Sequence, residues 1–226
     1  MDRLQRLMIF YDGAYYRKGT QYTRYHLQRG YMRFERLHAI IETYMAELLK
    51  VSRDSVKTVD SHWYDGRLSA GSLDERQLRG ERGFELRLVK EGITPHFLDM
   101  QEDQYAQSAQ QKGVDILMAL DVFDYASNNR LDCAVLVTGD SDFVPLVRRV
   151  ISYGKLVFIV HFNNPYWTDS QGYSHRPVVC SEKLLRAATH SMSLTHIIED
   201  PNWEKEIEEL FIPAESFSRQ PVESGE

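Results

Sequence analysis

Cys133-Ala134-Val135-Leu136-Val137 is a continuous apolar run that stops abruptly on Thr138-Gly139-Asp140-Ser141-Asp142. A strand that is apolar at every position has both faces covered, as strands inside a parallel sheet do. Leu7-Met8-Ile9-Phe10-Tyr11 has the same form and also ends on a carboxylate, in Asp12-Gly13. Residues 156–160 read as a further buried strand, and residues 56–64 and 93–100 complete a set of five. Between them the periodicity predicts helices. Leu37, Ile40, Ile41, Tyr44, Met45 and Leu48 recur at spacings of three and four over 34–49. Others fit 74–91, 113–127 (ended by Asn128-Asn129) and a short stretch through Val150, stopped by Gly154. This alternation predicts an α/β fold, a three-layer sandwich with a mainly parallel central sheet of about five strands and helices on both faces. A strand order of 3-2-1-4-5 would make the two aspartate-ended strands neighbours.

Other stretches carry less pattern. Residues 14–30 show no clean period and read as a loop rich in Tyr and Arg, and Asp65-Gly66 reads as a turn. Residues 163–179 read as a long loop with Pro165 and Pro177. Ser181 is placed to cap a helix over 182–190. Residues 201–212 suit an acidic helix and 213–226 a disordered end, so the domain is assigned to 1–200 and a tail to 201–226.

The chain has 226 residues, 42% of them apolar and 27% charged, as suits one soluble domain. No apolar run approaches the ~20 residues of a membrane helix. Two cysteines, Cys133 and Cys180, make neither a disulfide framework nor a metal-ligand spacing, and they point to a reducing cytoplasm. The net charge of −6 is polarised. The first 36 residues hold eight Lys/Arg against three acids, whereas from Glu199 onward nine acids face two bases.

In an open parallel sheet, ligands bind beyond the carboxyl ends of the strands, where strand order reverses. Asp12, Asp140 and Asp142 are expected to converge there. Asp115 joins them from the first turn of the helix leading into the fourth strand. Anions so crowded repel one another in a partly buried cleft, and oxygen ligands without a His/Cys cluster favour Mg²⁺ or Mn²⁺. Each acid also has a plainer reading: Asp12-Gly13 as a turn, Asp142 as a helix cap, Asp115 as a partner of the helix dipole. Asp121 is rotated about 240° around the helix from Asp115 and cannot share an ion with it.

These blocks resemble a known group. Ile9-Phe10-Tyr11-Asp12-Gly13, Gln111-Lys112-Gly113-Val114-Asp115 and Val137-Thr138-Gly139-Asp140-Ser141-Asp142-Phe143-Val144-Pro145-Leu146, in this order and spacing, are similar to the NYN family of PIN-like domains. The likeness runs over about 7–161. It implies an α/β sandwich whose acidic pocket binds Mg²⁺ or Mn²⁺, in a family many of whose members are ribonucleases. Carried across by position, the catalytic and metal-holding acids are Asp12, Asp115, Asp140 and Asp142. Asp121 matches a recurrent position and is expected to act through its neighbours. One position departs: the family usually has Asn where Tyr15 stands, and a hydroxyl lacks an amide's paired donor and acceptor.

The expected activity is metal-dependent hydrolysis of phosphodiester bonds in single-stranded RNA, with Tyr15, Arg17, Lys18, Lys112 and Ser141 as substrate contacts. Tyrosines interleaved with arginines over 15–36 suit unpaired bases and their phosphates. The rival reading is a non-catalytic RNA-binding or scaffolding module that keeps the acidic pocket. Neither needs a membrane, and a homo-oligomer or protein partner would use the 163–179 loop and the tail. His161 is expected to be structural. No Gly-rich phosphate loop is present, and a haloacid-dehalogenase phosphatase would need an acid where Ala14 stands.

Overall fold

The computed structural model describes residues 3–68, 73–99 and 113–212. Strand β1 (Gln5–Asp12) sets the frame, because its side chains alternate between two cores. Leu7, Ile9 and Tyr11 enter one and Met8 and Phe10 the other, all five buried. At ~1.5–3 kcal/mol per buried large apolar side chain, this strand has no water-facing side to spare. Strands β3 (Val56–Arg67), β4 (Thr94–Asp99), β5 (Cys133–Val137), β6 (Leu156–His161) and β9 (His190–Ser193) join it in a parallel sheet ordered β4-β3-β1-β5-β6-β9. The predicted order of five strands is present, with one more at the β6 edge. Only His190 of that sixth strand fell within the helix expected over 182–190; α6 stops at Ala187 (Glu182–Ala187), and only Met192 of β9 enters the core.

One face of the sheet is covered by α1 (Gly13–Gln21), α2 (Phe34–Leu49), α3 (Glu75–Lys90), α7 (Leu194–Glu199) and α8 (Glu204–Leu210). The other carries α4 (Val114–Ser127), α5 (Val144–Ser152) and α6. The acidic helix expected over 201–212 forms as α8, but Ile207 and Leu210 are buried in the main core. After it, β10 (Phe211–Ile212) pairs antiparallel with β2 (Tyr31–Met32). Residues 201–212 therefore pack as part of the fold rather than trailing from it.

Three further readings change. Most of residues 14–30, expected as a loop, lies in α1 and a π-helical turn (Tyr22–His26), with Tyr16 and Tyr22 buried. Asp65-Gly66 is not a turn: β3 runs straight through it, with Asp65 opposite Phe97 of β4. In the 163–179 segment, β7 (Trp167–Thr168) and β8 (Ser174–His175) pair antiparallel, and Trp167 stacks on His175 at 3.9 Å. Among the described residues no helix is long and apolar enough to cross a membrane.

Candidate active site

β1 and β5 lie side by side in parallel, with Tyr11 opposite Val137, so Asp12 and Thr138 leave the sheet at the same edge. Asp12 caps α1. Its Oδ1 accepts from the Tyr15 N–H at 3.0 Å, and its Oδ2 accepts from the Thr138 hydroxyl at 2.9 Å. The same hydroxyl, fully buried, accepts a long 3.4 Å bond from the Asp140 N–H. Asp140 in turn caps the 3₁₀ turn Ser141–Phe143, accepting from the Asp142 N–H at 2.9 Å. One threonine thus fixes the spacing of two acids that are distant in the chain. The sequence reading passed it over as a strand end, although a β-branched hydroxyl between an apolar strand and Gly-Asp suits a positioning group.

A cleft of about 520 Å³ opens above this junction, lined by Asp12, Tyr15, Lys18, Asp115, Asp140 and Ser141, with Cys180 and Ser181 on its far wall. Asp115 arrives on the first turn of α4. The chain enters that helix through Gly113 at φ 93°, a left-handed backbone that glycine adopts without strain. Burial is the main cause that raises Asp12 above the ordinary carboxylate range, and the Tyr15 N–H and Thr138 hydroxyl oppose it while the charges of Asp65 and Asp140 add to it. Asp115 is raised too, by the protein around it and then by Asp12, Asp140 and Asp142. The cleft is therefore an anionic site whose charges disfavour one another.

Not every expected residue joins it. Asp142 is exposed and lines an adjoining hollow with Arg148, Lys183 and Arg186, although its charge still reaches Asp115. Asp121 accepts from the Tyr64 hydroxyl at 2.9 Å, which ties α4 to β3. Lys112 lies outside the described residues. Tyr15 lines the cleft wall, and its hydroxyl accepts the Phe162 N–H at 2.9 Å, which holds the end of β6. Gly139 is required for this, since a Cβ there would come within 2.6 Å of the Tyr15 ring. Arg17 turns the other way and pairs with Asp65, which is 1% exposed. Asp65 itself, whose charge is felt at Asp12, was masked in the sequence by the turn-like Asp-Gly pair.

Acids from three separate stretches meeting where β1 adjoins β5 correspond to a known domain. The model of the NYN domain matches residues 6–175. The chain belongs to the NYN family. NYN domains are generally nucleases acting on RNA. A crystal structure of a Vibrio parahaemolyticus protein of unknown function has the same fold, with a TM-score of 0.53 at 18% identity over 86% of this chain and 95% of that one. No curated protein matches significantly. In this NYN domain the carboxylates and hydroxyls around the cleft are hard oxygen donors, with the Cys180 thiol also on its wall. Among the described residues no three carboxylate, imidazole or thiolate groups lie close enough to enclose an ion unaided.

Proposed function

We propose that this NYN domain hydrolyses phosphodiester bonds in single-stranded RNA with Mg²⁺ or Mn²⁺ drawn, with its waters, into the cleft that Asp12, Asp115 and Asp140 line, and with Asp142 adding charge from the adjoining hollow. The observation that carries this reading is the Thr138 hydroxyl shared between the Asp12 carboxylate and the Asp140 N–H, which places both acids at one sheet edge where burial and neighbouring charge disfavour an ionised Asp12 and a cation would favour it. Bound there, the ion supplies positive charge that lowers the pKa of an adjacent water and neutralises the phosphate.

The chain's own groups have separate tasks. Asp12 and Asp140 each spend one lone pair per bonded oxygen on the protein and keep others free. Lys18, exposed on α1 at the cleft, offers an ammonium to a phosphate oxygen, and Ser141 offers a hydroxyl. In the reaction, phosphorus gains a bond to the water oxygen and loses one to an ester oxygen, which leaves as a hydroxyl. The single-stranded preference rests on the aromatic and arginine side chains that follow α1, which suit unpaired nucleotides.

The test is cleavage of a labelled single-stranded RNA by the purified chain in Mn²⁺, alongside Asp12→Asn and Asp140→Asn. Loss in both variants is expected. Cleavage that survives in both belongs to a contaminant and overturns the assignment. Thermal unfolding gives a second readout: manganese at about 100 times its Kd should stabilise the wild type by ~2.7 kcal/mol and leave Asp12→Asn nearly unmoved. The second reading, an RNA-binding module without turnover, is favoured by the engagement of Tyr15 with Phe162. RNA binding in Mn²⁺ with no product from the wild type would select it.

A further inference from the structure

Behind α1, on the side away from the carboxylates, lies a second cavity of about 280 Å³. We propose that it receives one unpaired nucleobase of the RNA strand whose phosphates cross the carboxylate cleft. The proposal rests on RNA being the substrate and adds where one of its bases is held.

The walls are aromatic rings and guanidinium groups: Arg24, Tyr31, Phe34, Trp63, Phe84 and Arg87. Trp63 meets Phe84 edge-on at 5.1 Å and Phe34 edge-on at 5.9 Å, which makes an aromatic corner. The Arg24 guanidinium lies 4.0 Å from the centre of the Tyr31 ring, and Arg87 lies 5.4 Å from that of Phe34. Rings and flat cations in alternation stack on a base whatever its identity. The size suits one such group, since it falls just below the ~300–1,000 Å³ usual for small-molecule pockets. Trp63 is wholly buried and its indole N–H has no hydrogen-bond partner.

Charge and continuity identify the occupant as part of a strand. Arg17 is committed to Asp65 and Arg87 to Glu91, while Arg24 makes no ion pair among the described residues. It is thus left to meet a phosphate. The two hollows share α1: Ala14, Tyr15 and Lys18 face the cleft, and Tyr16, Arg17 and Thr20 face the cavity. A strand crossing one helix width, ~10–12 Å, passes from one to the other.

The experiment uses the full chain carrying Asp12→Asn, so that RNA stays intact, and measures binding of a short single-stranded RNA by fluorescence anisotropy. Each nucleotide is replaced in turn by an abasic residue. Arg24→Gln is expected to weaken the intact RNA about tenfold. One abasic position should cost about the same, and the two losses should not add. Phe84→Leu, which keeps apolar bulk, repeats the cycle should Arg24→Gln fold poorly. Additive losses, or no position sensitive to base removal, overturn the proposal. A free mononucleotide bound more tightly than the RNA does so too, because the cavity then serves a separate ligand. The nuclease reading is judged apart: wild-type chain that fails to cleave while the abasic pattern holds loses the chemistry and keeps the base site, and cleavage without the pattern does the reverse.

Discussion

On one side of α1, Asp12, Asp115 and Asp140 crowd like charges into a polar cleft. On the other, Arg24 and Arg87 lie against Tyr31 and Phe34 over a floor made by Trp63. The cleft is set by two strand ends and one buried hydroxyl, so its atoms are fixed by the sheet. The cavity is assembled from α1, β2, α2, β3 and α3, with its rim on long side chains. Chemistry demands positions held to a fraction of an ångström, whereas grip tolerates adjustment. Arg17, exposed on the cavity side, is paired with the buried Asp65, whose charge is felt at Asp12. Opposite charges can serve one substrate where a single helix keeps them apart.

If that division is real, mutations on the two sides should change different constants. The largest effect is expected at Asp12→Asn, with kcat down by roughly 10²–10³-fold, on the scale of losing one group that stabilises a transition state, and RNA affinity little changed. Steady-state kinetics beside anisotropy checks it; a variant that loses binding and keeps kcat would break the comparison.

Next is acid. Burial lowers His38 from an ordinary 6.5 to about 4, and its Nε2 lies 2.9 Å from the Tyr11 hydroxyl, whose ring packs on Trp63 under the cavity. Because the folded value is the lower one, the unfolded chain takes the proton first. The stability held above pH 6.5 is therefore lost as pH falls toward 4, by up to about 3 kcal/mol. Denaturant midpoints between pH 7 and 4 should show this slope, and His38→Gln should flatten it.

Thr138→Val keeps the shape and removes the hydroxyl between Asp12 and Asp140. Activity should fall about 10–100-fold, as when a group that orients a ligand is lost, with the abasic pattern in the cavity intact. The smallest effect belongs to Tyr15→Phe, which leaves the Phe162 N–H without its acceptor. About 1–2 kcal/mol of stability should go, read from chemical unfolding, while kcat stays. A matching fall in kcat would return Tyr15 to the substrate.

The parts of the fold legible in the sequence were those under strong burial. β1, β5 and β6 are apolar on both faces, and α2 repeats its apolar residues at helical spacing. What escaped notice had few buried positions to advertise it. α1 buries only Gly13, Tyr16 and Gly19, mixed with exposed Arg17 and Lys18. β9 enters the core through Met192 alone. Asp12 and Asp140 were visible because an acid after an apolar strand is rare without a purpose. Asp65 was hidden because Asp-Gly usually means a turn, and nothing local reveals that β4 pairs with β3 through it. Thr138 was hidden because its importance lies in a contact between strands.

β10 closes against β2, and β2 supplies Tyr31 and Met32 to the wall of the cavity. Pairing between segments so far apart in the chain is slow to form and comes late. During synthesis, β1 and β5 can meet and gather their aspartates while residues 211–212 are still in the ribosome. The order of birth therefore places the cutting edge before the hand that steadies the strand.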